Sequence, residues 1–180
     1  MNPTRSFEAA VLPCLDSAYN LARWLLRDDA EAEDVVQEAA LRALRYFAAL
    51  RDGPARPWFL DIVRNLCFTH LEERRGRREQ AGYEDETLEA LQHDAGLAAP
   101  DPARALQGRR DGERIDAAIR ALAPPLREVI VLRELEGLDY AEIAQVAGIP
   151  VGTVMSRLSR ARGRLRETLL QAGIGERKEP

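Results

Sequence analysis

The stretch DYAEIAQVAGIPVGTVMSRLSRARGRLRE, residues 139–167, reads as two helices joined by a tight turn. Asp139 stands where a side-chain oxygen can cap the first helix, YAEIAQVA. Gly148 suits the left-handed conformation that ends a helix, and Pro150 stops that helix from continuing. The second helix is expected to start near Gly152 and Thr153. At about 100° per residue, Val154, Leu158, Ala161 and Leu165 fall on one narrow stripe, which should pack on Ile143 and Val146. Ser156, Ser159, Arg160 and Gly163 lie opposite. Arg157 and Arg164 form one flank; Arg162 and Arg166 form the other, with Met155 beside them. This is the form of a helix-turn-helix whose second helix offers short polar groups to base edges and arginines to phosphates on both sides.

Net charge would argue against a nucleic-acid partner, since the chain of 180 residues is formally -4. The charges are segregated, however. Residues 1–78 carry twelve basic and twelve acidic side chains, and residues 79–113 carry three against nine. From residue 114 onward there are eleven basic and nine acidic groups, and five of the arginines lie within 151–167. The overall acidity therefore comes mainly from the middle segment. Lys178 is the only lysine; arginine suits bidentate phosphate contacts.

Working outward, helical periodicity dominates and no strand pattern emerges. Residues 6–26 repeat apolar side chains at three- and four-residue steps, with Pro13 expected to bend that helix. Asp28 or Asp29 can cap a second helix running to about Leu50, with Glu31, Glu33 and Asp34 near its positive end. RDGPARP (51–57) breaks it, and Pro57 suits the first turn of a third helix. Residues 79–113 are rich in Gly, Pro and acids and read as a flexible linker. Four short helices follow. The expected fold is all-α: a domain over 1–78, the linker 79–113, a second domain over 114–172, and a tail 173–180 too poor in apolar residues to be structured.

Residues 121–167, ALAPPLREVIVLRELEGLDYAEIAQVAGIPVGTVMSRLSRARGRLRE, resemble domain 4 of the extracytoplasmic-function, group 4, bacterial sigma factors. The matching positions include Leu122, Pro124, Arg127, Glu128, Glu136, Gly137, Gly148, Thr153, Arg157 and Arg160. The resemblance implies that this domain reads a -35 promoter element through the major groove. The implied contacts are Thr153, Met155, Ser156, Arg157, Ser159, Arg160, Arg162, Arg164 and Arg166, with Met155, Ser156, Ser159 and Arg160 facing bases. The Met155 position is often basic in the family.

The N-terminal half resembles the same family's domain 2. RDDAEAEDVVQEAALRAL (27–44) is similar to its core-binding helix, which docks on the clamp helices of the polymerase β′ subunit; Asp34, Val35, Gln37 and Glu38 are the implied contacts. PWFLDIVRNLCFTHLEERRGRR (57–78) is similar to its promoter-melting helix. Arg64, Asn65, Arg74, Arg75, Arg77 and Arg78 are the implied -10 DNA contacts. Arginines spaced along a helix can follow a phosphate backbone, and Asn65 offers a donor and an acceptor to an exposed base. Trp58 is read as core packing. The resemblance implies partners as well: core RNA polymerase through its β′ clamp helices and β subunit, promoter DNA, and an anti-sigma factor.

Other classes are weighed on the same residues. A helix-turn-helix activator or repressor that is not a sigma subunit would need a receiver, ligand pocket or dimerisation helix, and residues 1–78 offer none. Cys67, His70 and Glu73 supply three ligand types on one helix, but Cys67 reads as core-facing. No catalytic residue, metal or cofactor is therefore expected. Two cysteines make no disulfide framework, no apolar run is long enough to span a bilayer, and no secretory signal opens the chain. These observations imply a cytoplasmic protein with no membrane insertion of its own.

Overall fold

The computed structural model of the chain describes residues 3–50, 53–80 and 102–174. Among these every regular element is helical. Helix α1 (Pro3–Val11) gives way to a single 3-10 turn, Leu12–Cys14, before α2 (Leu15–Leu26). Pro13 lies inside that turn, where its missing N–H breaks the helical ladder. Helix α2 ends on Arg27, whose φ of 61° is left-handed, a conformation that a non-glycine residue adopts at a local cost.

Helix α3 (Asp29–Tyr46) starts on Asp28, whose carboxylate accepts from the Glu31 amide at 2.9 Å. Helix α4 (Ala55–Gln80) places Pro57 in its first turn, where no intrahelical N–H is needed. Helices α2, α3 and α4 pack on one another around Leu21, Leu25, Val35, Phe59, Leu60 and Val63, all at or near zero exposure. Trp58 packs partly buried against this core, with its ring edge-on to Phe47, as the sequence suggested.

The C-terminal half begins with α5 (Pro102–Ala121), which reaches well back into the segment expected to be linker. The acidic stretch 81–101 and the tail from 175 lie outside the described residues. Helix α6 (Pro124–Ile130) runs on into a π turn, Val131–Leu135, closed by Glu136 N–H donating to the Val131 carbonyl at 3.0 Å. Gly137, at φ 68°, then reverses the chain into α7 (Tyr140–Ala147). A capping box joins Asp139 and Glu142 reciprocally at 2.8 and 2.9 Å. Gly148, at φ 63°, ends α7, and α8 (Val151–Gln171) starts directly after Pro150.

The two halves are in contact. Helix α2 packs on α6, and α4 on α7, so that the buried side chains of both halves form one continuous cluster.

Candidate nucleic-acid interface

Helix α8 is sorted as its sequence predicts. Val154, Leu158 and Ala161 are buried, Leu165 is half-buried, and Ile143 and Val146 are buried beneath them. Met155, Ser156, Ser159, Arg160, Gly163, Arg164 and Arg166 are exposed. The Ser156 hydroxyl donates to the Thr153 carbonyl at 3.0 Å, and Arg160 Nε to the Ser156 carbonyl at 3.3 Å. Both bonds are local and solvent-facing, so a ligand can replace them at little cost. Thr153 is half-buried.

Two arginines of α8 are not simply presented to solvent. Arg162 donates from Nε and Nη2 to Glu134 on the π turn. That bond holds the Arg162 guanidinium above its usual pKa, so it stays charged. Arg157 turns inward: its side chain is 22 % exposed, and Nη1 lies 3.7 Å from Glu128 Oε2, too long for a hydrogen bond but close enough to pair. A shallow recess of about 480 Å3 runs beside this face, lined by Tyr140, Met155, Ser159, Arg162 and Arg166.

Along α4 the six expected contacts also divide. Arg75, Arg77 and Arg78 near its end are exposed, with Arg75 Nε on Glu79 at 2.8 Å and Arg77 Nε on the Glu73 carbonyl at 3.4 Å. Asn65 is exposed and bridges its neighbours, donating to Asp61 at 2.8 Å and accepting from Arg64 at 3.1 Å. Arg74 instead ties α4 to α3, donating to Glu31 at 2.9 Å and to the Leu26 carbonyl at 3.3 Å. Arg64 donates to Glu128 at 2.6 Å and lies over the Phe68 ring, 4.1 Å from its centre. In this arrangement Arg64 and Arg74 hold protein carboxylates rather than a phosphate backbone, because buried or bridging acids reach them first.

Glu128 has no exposed surface. Burial pushes its carboxyl pKa up, opposed by the Arg64 hydrogen bond and by the charges of Arg64 and Arg157. Cys67 faces the core while Glu73 is exposed, so the three ligand types on α4 do not converge. Among the described residues no group of three or more His, Cys, Asp and Glu side chains could hold a metal ion.

Residues 11–77 match the family described as Sigma-70 region 2, and residues 112–165 the family described as Sigma-70, region 4. Against the RNA polymerase sigma-H factor of Pseudomonas aeruginosa the chain is 34% identical over 160 residues, covering 88% of this chain and 83% of that one. The chain belongs to the ECF sigma factors of the sigma-70 family. It is also 34% identical over 167 residues to the ECF RNA polymerase sigma factor SigE of Mycolicibacterium smegmatis, where the match covers 91% of this chain and 62% of that protein. Among solved structures, the sigma factor RpoE in complex with the anti-sigma factor NepR from Bartonella quintana superposes with a TM-score of 0.74 and 26% identity, covering 96% and 99% of the two chains. CnrH, solved with the cytosolic domain of CnrY, gives 0.62 and 25%, covering 94% and 90%.

In this ECF sigma factor the expected polymerase-docking residues lie on α3, and they separate by face. Asp34 and Gln37 are exposed and Glu38 is half-exposed, paired with Arg42 at 2.6 Å. Val35 is completely buried among α2 and α4, so its side chain supports the helix instead of meeting a partner. One turn further along the exposed face stand Leu41 and Leu44, 59 % and 49 % exposed. The sequence reading missed both. The signal was present: on α3 the buried stripe is Ala32, Val35, Ala39 and Ala43, so the two leucines fall off it. A helix that buries alanines and exposes leucines has an apolar surface left for a partner.

Proposed function

We propose that this ECF sigma factor is a dissociable initiation subunit of RNA polymerase. It joins core polymerase through the α3 face and the β subunit, reads a -35 element with α8, and opens DNA around a -10 element with α4. The observation that carries this reading is the pairing of two exposed faces on one chain. One, on α3, combines Asp34, Gln37 and Glu38 with Leu41 and Leu44; the other, on α8, combines serines, Met155 and arginines. A DNA-binding regulator acting alone has use for the second face but leaves the first unexplained.

On this reading the chain supplies no bond-making chemistry; polymerase forms the phosphodiester bonds. Its place of work is the cytoplasm, in keeping with the fact that no helix among the described residues is long and apolar enough to cross a membrane. The Bartonella and CnrH structures contain a sigma factor bound to an anti-sigma factor and CnrH bound to the cytosolic domain of CnrY, respectively. That pairing supports control of this chain by an anti-sigma factor too.

Transcription in vitro with core polymerase on genomic fragments tests the reading. The chain is expected to create start sites absent from core polymerase alone. Gln37→Ala together with Glu38→Ala is expected to weaken polymerase binding. No start sites above the core-only background would overturn the function, and unchanged binding by the double variant would overturn the docking face.

A further inference from the structure

Met155 stands in the second turn of α8 and is 54 % exposed. Ser159, Arg162 and Arg166 follow it at four, seven and eleven positions, so these side chains share one face of the helix. Val151, one turn earlier on the same side, is 42 % exposed. Two apolar side chains therefore open a face that is otherwise polar and basic. Folding does not account for Met155. The stripe that α8 buries is Val154, Leu158 and Ala161, and Met155 lies outside the core cluster and the apolar residues packed on it.

The recess of about 480 Å3 beside Met155 joins two kinds of surface. Met155, Leu158 and Tyr140 give it apolar lining, and Arg162 and Arg166 give it cations. Gly163 adds no side chain to it. A phosphate suits the arginines but gains nothing from the thioether, which carries no charge, donates no hydrogen bond and accepts one only weakly. An exposed apolar group is stabilised by meeting another apolar group. In the major groove the base-pair edges present donors, acceptors and one methyl group, the C5-methyl of thymine. A helix that enters this groove reaches base edges with its first turns, where Met155 stands. The unbranched side chain of methionine adapts readily to the shape of such a partner.

We propose that Met155 reads the C5-methyl group of one thymine in the -35 element, and so makes this chain favour T·A over G·C at that base pair. This rests on the reading of α8 as the helix that meets the -35 element. A cation at the same place would instead take guanine, whose O6 and N7 accept paired bonds from arginine. Arg162 and Arg166 then contribute affinity on phosphates without regard to sequence, while the methionine between them and the helix start contributes selectivity.

The test uses holoenzyme formed from core polymerase and the full chain, on a promoter duplex taken from the start sites mapped by the transcription assay above. Each thymine of the -35 region, on either strand, is replaced in turn by deoxyuridine, which lacks only the methyl group. Equilibrium binding is measured by competition with the unmodified duplex. One replacement is expected to weaken binding about fourfold, the effect of burying a single methyl group. In Met155→Ala that loss is expected to disappear, whereas Met155→Leu, which keeps the apolar reach, retains it. Met155 lies outside the core, so both variants are expected to fold as the parent does, and circular dichroism checks this. A parent indifferent to every replacement overturns the proposal. So does a loss that persists in full in Met155→Ala, which would assign the methyl group to another residue or to the shape of the duplex. Absence of start sites above the core-only background refutes the promoter function and the proposal with it; once start sites exist, the deoxyuridine series judges Met155 alone.

Discussion

Arg162 donates two hydrogen bonds to a single oxygen of Glu134, at 3.2 and 2.7 Å, so α8 is clamped to the π turn beside it. Both side chains are about half exposed, and in water such a pair adds no more than about 1 kcal/mol to stability. Its greater consequence is for the proposed DNA contact, because an Arg162 that meets a phosphate has to give up this carboxylate. Glu134→Gln is therefore expected to tighten binding to a -35 duplex severalfold and to steepen its salt dependence by about one phosphate contact. Fluorescence anisotropy across a salt series measures both. An unchanged affinity and slope would mean that Arg162 makes no phosphate contact even when freed of Glu134.

Val35 and Leu41 provide a contrast between fold and partner on one helix. Val35→Ala removes buried methyl groups from a packed site and is expected to destabilise the chain by about 1–3 kcal/mol, seen as a lower urea midpoint. Leu41→Ala is expected to leave that midpoint nearly unchanged, since the side chain is largely exposed, yet to weaken core-polymerase binding about tenfold. Equal loss of polymerase binding in both variants at matched folded fraction would refute the division of faces.

That contrast also marks how far the sequence could be read. Residues that act within a turn or two were legible: the Asp28 and Asp139 caps, the Gly148 turn and the stripe of Val154, Leu158 and Ala161 all stand where local geometry puts them. Arg64 and Arg157 were not, because what captures them is Glu128, 64 positions from the first and on another helix. An arginine's exposure depends on which acid the tertiary packing brings near, and no periodicity encodes that. Helix α5 starts earlier than the sequence leads one to expect for a related reason. Its Gly and acids resemble linker composition, and its contacts with α6 and α8 are tertiary.

Arg160 and Met155 carry the expectation for promoter preference. Arg160 is exposed at the centre of the α8 face, held only by a long bond to its own helix. Arg160→Ala is expected to relax discrimination at one -35 base pair by about 1–3 kcal/mol, whereas Arg166→Ala weakens all sequences alike. Met155→Arg, at a position that is half exposed beside Arg162 and Arg166, adds a cation and is expected to tighten binding generally with a steeper salt slope. Binding to a library of randomised -35 duplexes reads all three. A uniform loss for Arg160→Ala would remove it from the base-facing set.

Cys67 gives an expectation for stability against pH. The thiol is buried in α4, and burial pushes its pKa from about 9 up to about 12. Below pH 9 folded and unfolded chains both hold the proton, so Cys67 adds no pH dependence. Between 9 and 12 only the unfolded chain releases it. The folded state then binds more protons, and stability must fall as pH rises through that window. At pH 10.5 the thiol should favour unfolding by about thirtyfold relative to pH 8. Urea unfolding of a Cys14→Ala parent and of the same chain with Cys67→Ala separates this from other groups, whose titration is common to both. The parent is expected to lose more stability than the Cys67→Ala chain between pH 8 and 10.5. Equal losses would place Cys67 in contact with water, and rapid reaction of the native thiol with a thiol reagent at pH 8 would say the same.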